Sequence, residues 1–211
     1  GNRTGIDLTG ESSGLLPSRE WKRRARRQPW YPGETLIIGI GQGYFLTTPL
    51  QLAAATAAIA NNGIFYTPHV VDYLRSRETG EINPIPPSAH TVPVAFQQNW
   101  DDVRNGMLNV VEGARGTAKR IRSDQYRIAG KTGTAQGFTV AQDEEYDEET
   151  LEKKLRDHAL FVAYAPVEDP QIAVAVVVEN GGHGGSVAAP IARAIMDAYL
   201  LPELVPVEDD S

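Results

Sequence analysis

Apolar positions recur at helical spacing in three stretches of this chain and at strand-like spacing in three others. Thr48-Pro49-Leu50-Gln51 places a capping Thr, a Pro at the first helical position and a Gln at the third. Six alanines follow between Ala53 and Ala60, and Asn61-Asn62-Gly63 supplies a stop, so a helix whose small side chains allow close packing is expected there. A second helix is expected from Asn99, with Asp102 in its first turn, Val103, Met107, Val110 and Val111 on its apolar face, and Gly113 at its end. Prolines at 68, 84, 86, 87 and 93 restrict the intervening residues 64–98 to short strands and turns.

Beyond Gly113 the period changes. Tyr126 to Gln136, His158 to Ala165 and Gln171 to Glu179 read as strands, and the short link Pro166-Val-Glu-Asp-Pro170 makes at least the last two an antiparallel hairpin. A closing helix follows, with Val187, Ile191, Ile195 and Ala198 forming a stripe expected to pack on the sheet and Pro202 as its stop. Residues 202–211 read as a disordered acidic tail. The fold class implied is α/β (α+β), with no internal repeat and no linker separating two domains.

Composition narrows the chemistry. At 211 residues and 41% hydrophobic content the chain can bury a real core. Its 20 Lys+Arg against 27 Asp+Glu give a net charge of −7, which argues against nucleic acid as a partner. Cysteine is absent, excluding thiol catalysis and disulfides, and His69, His90, His158 and His183 are scattered, so no metal site is expected. His158, beside Asp157, reads as a structural hydrogen-bonder. No charged residue occurs between Glu34 and Asp72, yet Gly39, Gly41, Gly43 and Pro49 break that stretch, and no membrane span is expected.

Two charge runs stand out. Arg19, Lys22, Arg23, Arg24, Arg26 and Arg27 form a basic segment with the aromatic residues Trp21, Trp30 and Tyr31 around it. It reads as a solvated face or loop, with a site for anionic lipid or an acidic partner as the alternative. Residues 143–149 form an acidic insertion, Asp-Glu-Glu-Tyr-Asp-Glu-Glu, followed by a Leu151, Leu155 helical turn; solvated excursion and gating element are its two readings.

The chemically informative string is Gly130-Lys131-Thr132-Gly133-Thr134-Ala135-Gln136. It is not a phosphate-binding loop, because that motif needs glycine at position 125, where Gln125 stands, and a helix directly after it. Nor do Gly39, Gly41 and Gly43 make a dinucleotide fingerprint, since Tyr44 occupies the third glycine's place. On an edge strand Lys131 and Gly133 share one face and Thr132 and Thr134 the other. Gly133 lets a ligand backbone lie against the strand, the ammonium attracts a carboxylate, hydroxyls donate to it, and a backbone N–H can hold an oxyanion. An ordinary edge strand with a protective Lys is the alternative.

Lys-Thr-Gly-Thr-Ala-Gln resembles the third active-site motif of penicillin-binding transpeptidases and serine β-lactamases. Thr4-Gly-Ile-Asp-Leu, Gly14-Leu-Leu-Pro-Ser-Arg-Glu-Trp-Lys22, Trp30-Tyr-Pro-Gly-Glu, Gly39-Ile-Gly-Gln-Gly-Tyr, Thr48-Pro-Leu-Gln-Leu, Arg156-Asp-His158 and Glu179-Asn-Gly-Gly182 extend the resemblance over most of residues 2–201. Together they look like the elongation-type class B penicillin-binding proteins. The resemblance implies a penicillin-recognising fold with an antiparallel sheet, a C-terminal helix packed on it and part of a helical lobe. It implies peptidoglycan D,D-transpeptidation without a cofactor, at the periplasmic face of the inner membrane of a Gram-negative bacterium.

Carried over by position, Lys131 takes electrostatic and proton-network roles. Thr132 and Thr134 bind the substrate or β-lactam carboxylate, the Thr134 N–H forms half of an oxyanion hole, and Gly133 keeps the strand open. The implied partners are D-Ala-D-Ala stem peptides, β-lactams and membrane proteins of the elongation complex. None of the serines at 12, 13, 18, 76, 88, 123, 186 and 211 begins a Ser-x-x-Lys, and no Ser-x-Asn occurs. The nucleophile is therefore not in this chain, and residues 1–211 are expected to be the C-terminal portion of one transpeptidase domain, needing the N-terminal portion and an anchor upstream. By itself the chain is expected to be inactive. A β-lactam or D-Ala-D-Ala hydrolase of the same superfamily and a non-catalytic docking fragment are the alternatives.

Overall fold

A computed structural model describes residues 1–135 and 157–202. The acidic insertion 143–149, Gln136, Arg156 and the tail from 203 lie outside the described residues. Contacts divide the chain into two compact units, Gly1–Leu52 with Thr67–Ser88, and Ala53–Tyr66 with Ala89 onward.

In the first unit, α1 (Arg19–Arg26) is capped by Ser18, whose hydroxyl accepts the Trp21 N–H at 3.1 Å. The basic segment is thus a helix whose Arg19, Arg23, Arg24, Arg26 and C-cap Arg27 are exposed, the solvated face that the charge run suggested. Its one buried cation, Lys22, is 2% exposed; it pairs with Glu34 of α2 (Pro32–Gly39) and lies 4.4 Å from the Tyr31 ring centroid. The Lys22 ammonium, followed by the Tyr31 N–H, holds the Glu34 carboxyl below its ordinary value. A hairpin of β2 (Tyr73–Arg75) and β3 (Ile82–Pro84) completes this unit. Asp7 ties the chain before it by accepting the N–H groups of Val70 and Val71 at 2.8 and 3.0 Å.

The alanine-rich helix α3 (Pro49–Ala60) begins and ends where its sequence says. Thr48 Oγ1 accepts the Gln51 N–H and Gln51 Oε1 accepts the Thr48 N–H, at 3.1 and 2.9 Å, a reciprocal capping box. Asn62 and Gly63 take φ of 54° and 89°, and the Gly63 N–H closes on the Ala58 carbonyl at 2.7 Å.

The second unit carries two antiparallel sheets. One pairs β1 (Ile64–Tyr66) with β4 (Ala89–Thr91). The other has the order β5 (Ala129–Ala135), β6 (His158–Ala165), β7 (Ile172–Val178), leaving β5 at an edge. β5 starts three residues later than its apolar pattern suggested, because Tyr126 and Ile128 enter the core before the ladder begins. Alternation along β6 divides the interior: Ala159, Phe161, Ala163 and Ala165 join one apolar cluster, and Tyr164 with Val162 joins another containing Ala60 and Met107. Met107 and Val111 come from α4 (Gln98–Glu112), which starts one residue before Asn99 and leaves Val103 45% exposed.

The closing helix α5 (Ala188–Leu200) packs on β6 and β7, but not by the expected stripe. Ala188, Ala189, Ala192 and Met196 are fully buried, while Ile191 and Ile195 are 43% and 45% exposed and Ala198 is exposed too. Three alanines let the helix axis approach the sheet closely, Met196 fills the remaining gap, and the bulkier isoleucines turn outward.

Candidate active-site strand

β5 and β6 pair without a bulge from Ala129↔Tyr164 to Ala135↔His158. Unbroken pleating puts Gly130, Thr132 and Thr134 on the face that Phe161 occupies, and Lys131 and Gly133 on the other. Thr132 and Thr134 line a cleft of about 380 Å³ together with Thr117, Arg120, His183, Gly184, Gly185 and Ser186. Lys131 is exposed, does not line that cleft, and donates through Nζ to the Thr132 carbonyl. The structure therefore brings the two threonines together around one concavity and sets the ammonium on the opposite face of the same edge strand.

Two of the lining residues were not singled out by the sequence. Thr117 and Arg120 follow the end of α4, in a segment anchored at several carbonyls. The Ala118 N–H donates to Val110 O at 3.0 Å, and Arg122 Nε donates to Val111 O at 2.9 Å. Arg193 of α5 holds the same segment from beneath, donating to the Ile121 and Arg122 carbonyls at 2.9 and 2.6 Å and to both oxygens of Asp197 at 2.8 Å. The Tyr126 hydroxyl donates to Asp197 Oδ1 at 2.6 Å; burial and that carboxylate push its phenol well above its ordinary value. Fixed in this way, Thr117 Oγ1 comes to 3.1 Å from Thr132 Oγ1. Arg120 adds positive charge to the cleft wall.

The opposite wall is the glycine loop. His158 Nδ1 accepts the Asn180 N–H at 2.9 Å, which places its ring proton on Nε2, and the Asp157 carbonyl accepts the Gly182 N–H at 2.8 Å. His158 is thus a structural hydrogen-bonder, as its place beside Asp157 suggested. The loop then crosses so near the sheet that a Cβ on Gly184 would lie 2.2 Å from the Leu160 carbonyl oxygen and 2.6 Å from that of Gly133. Both obstacles are backbone, so no rotamer change relieves them. Gly184→Ala is expected to cost about 1–3 kcal/mol of stability, read as a lowered denaturant midpoint, by forcing the loop off β5. An unchanged midpoint would show that the loop yields freely.

Among the described residues no group of three or more His, Asp or Glu is placed to hold a metal ion. What the site offers is an edge strand with two hydroxyls, a cation, and a glycine-lined wall: groups suited to an extended peptide ending in a carboxylate.

A family model for the penicillin-binding protein transpeptidase domain matches residues 1–197. The chain is 44% identical over 211 residues to the peptidoglycan D,D-transpeptidase MrdA of Haemophilus influenzae, covering 99% of this chain and 32% of that protein. It thus spans about a third of the length of that curated relative. Among solved structures, PBP2 of Pseudomonas aeruginosa in complex with WCK 5153 is 47% identical with a TM-score of 0.76, over 97% of this chain and 42% of that one. The Helicobacter pylori complex between PBP2 and MreC is 32% identical, also at a TM-score of 0.76, over 97% and 34%.

Proposed function

The chain belongs to the family of penicillin-binding protein transpeptidase domains, and on that premise we propose that the complete protein is a peptidoglycan D,D-transpeptidase of cell-wall elongation. The observation that carries the reading is the edge strand β5, which presents Thr132 and Thr134 to one cleft and Lys131 on its other face. In this reading residues 1–211 form the later portion of one transpeptidase domain, and the nucleophile is a serine that this sequence does not contain.

The chemistry is acyl transfer in two steps. The serine oxygen attacks the carbonyl of the penultimate D-alanine, the C–N bond to the terminal D-alanine breaks, and that amine leaves carrying the serine's proton. The amine of a neighbouring stem peptide then attacks the ester, the C–O bond breaks, and a proton returns to the serine. Thr132 and Thr134 hold the terminal carboxylate, and the Thr134 N–H stabilises the oxyanion of each tetrahedral intermediate. Lys131 raises the local positive potential and takes part in the proton network around the serine. Gly133 leaves room for the substrate backbone to lie along the strand.

The proposal extends to partners and place. A relative assembles with MreC, which supports docking of the complete protein on an elongation-complex membrane protein. It would act at the periplasmic face of the inner membrane; no helix among the described residues is long and apolar enough to cross a membrane. β-Lactams, as mimics of the stem-peptide terminus, would acylate the same serine.

Labelling with a fluorescent penicillin tests this directly. The complete protein is expected to form an adduct stable over hours, and the 211-residue chain alone to remain unlabelled. Rapid release of the label would favour a hydrolase, while no labelling of the complete protein, or labelling of the chain alone, would overturn the assignment.

A further inference from the structure

The cations of α1 are not equivalent. Lys22 is buried against Glu34 and Tyr31, Arg26 lies 5.4 Å from the Tyr44 ring centroid, and Arg24 approaches Glu20 at 4.0 Å. Arg19, Arg23 and Arg27 have no acidic partner among the described residues, although all three are exposed. Arg19 and Arg23 stand four residues apart on one face of α1, a step of about 6 Å, and Arg27 follows at the helix C-cap. Together they line a concavity of about 710 Å³ whose wall continues through Gln28, Pro29 and Trp30 and includes Glu20, whose carboxylate approaches Arg24 at 4.0 Å, so three guanidinium groups stand against one carboxylate. Arg27, at φ 56°, turns the chain from the helix into that wall. Trp30 is fixed there, its Nε1–H donating to Thr35 Oγ1 at 3.0 Å.

Three guanidinium forks and an indole around one concavity suit a ligand that carries several carboxylates and flat apolar faces. Guanidinium pairs carboxylate through two parallel N–H donors, and an aromatic ring offers a stacking surface to a sugar's C–H face. A lipid surface fits poorly. The site is concave, and the aromatic residue of α1, Trp21, is turned toward Tyr44 with ring centroids 5.2 Å apart, leaving the helix no large apolar side chain to insert.

We propose that this arginine cleft binds a glycan strand bearing carboxylate-rich peptides, through groups other than those that react with it. The inference rests on the transpeptidase reading for the choice of polymer, while the anion-binding geometry stands on residues 19–30 alone.

The test uses the complete protein, first acylated with a penicillin so that the reacting site is closed, over immobilised uncross-linked glycan strands with intact stem peptides. Binding is expected to weaken about tenfold or more in the triple variant Arg19→Gln/Arg23→Gln/Arg27→Gln, and similarly when the strand carboxylates are amidated. Circular dichroism of the variant should match the parent's, because all three side chains are exposed. Equal binding by the triple variant, or by amidated strands, overturns the proposal. So does equally tight, arginine-dependent binding of phosphatidylglycerol vesicles, which would make the partner a membrane, or of polyglutamate, which would make it an acidic protein. Failure of the initial acylation would count against the transpeptidase reading instead, and is seen before any strand is added.

Discussion

Lys131→Ala in the complete protein is expected to slow acylation by a fluorescent penicillin about 10²–10³-fold, the loss typical of removing one preorganised electrostatic group from an acyl-transfer site. Folding should be nearly untouched. Lys131 is exposed, and among the described residues its ammonium reaches only the Thr132 carbonyl of its own strand. A surface truncation of this kind shifts stability by no more than about 0.5 kcal/mol. The separation of a large rate effect from a small stability effect is therefore the diagnostic result, measured as the second-order acylation constant beside the unfolding midpoint. Lys131→Arg should recover part of the rate, since it keeps the charge while replacing a compact ammonium with a planar fork. An acylation rate unchanged in Lys131→Ala would remove Lys131 from the site.

Phe161→Ala is expected to cost about 3–5 kcal/mol, the range for deleting a fully buried ring. Its side chain has no exposed surface and belongs to the cluster that joins β6 to α5. It also supports β5, because a Cβ added to Gly130 would meet the Phe161 ring at 2.6 Å. Removing the ring leaves a void on the face of β5 that carries Thr132 and Thr134. Acylation should then fall along with the urea midpoint, unlike the Lys131 variant. Phe161→Leu, which retains much of the volume, should lose less of both. A loss below about 1 kcal/mol for Phe161→Ala would show that the sheet collapses to fill the space. Gly130→Ala should interact strongly with either change, since the two positions share one volume, but rescue stays partial because the Val162 carbonyl oxygen also lies 2.9 Å from the added Cβ.

What the chain's pattern revealed, and where it misled, follows the range of the forces involved. α3 was legible to the residue because its start and stop are set by Thr48, Gln51, Asn62 and Gly63, groups within one turn of the ends they cap. The hairpin of β6 and β7 was equally plain, its short link leaving little freedom. α5 was placed correctly but turned wrongly. Periodicity ranks isoleucine above alanine as a core residue, whereas here the close approach of Ala188, Ala189 and Ala192 to the sheet decides which side faces inward. α1 presents the solvated face its charge suggested, while the burial of Lys22 against Glu34 depends on a partner twelve residues away that the charge run does not encode.

The site divides the same way. Lys131, Thr132, Gly133 and Thr134 announce themselves as a contiguous string on one strand. Thr117 and Arg120 carry no motif; they reach the cleft through the carbonyl anchors of Arg122 and Arg193, which no local spacing encodes. His183, Gly184 and Gly185 form the cleft's other wall, brought there by the turn that follows β7.

The contact between Thr117 and Thr132 has one more implication. Two hydroxyls carry two protons, and a single contact between them uses one. Whichever oxygen donates, the other's proton is left for a third group, and exchanging the roles requires only rotation about two C–O bonds. A carboxylate arriving at Thr132 can thus be met by a donor already backed by Thr117, without displacement of any carbon atom. On the proposed docking of the substrate carboxylate at Thr132, the pair would act as a reversible polarity relay, solvating negative charge when the cleft fills and solvating itself when it is empty.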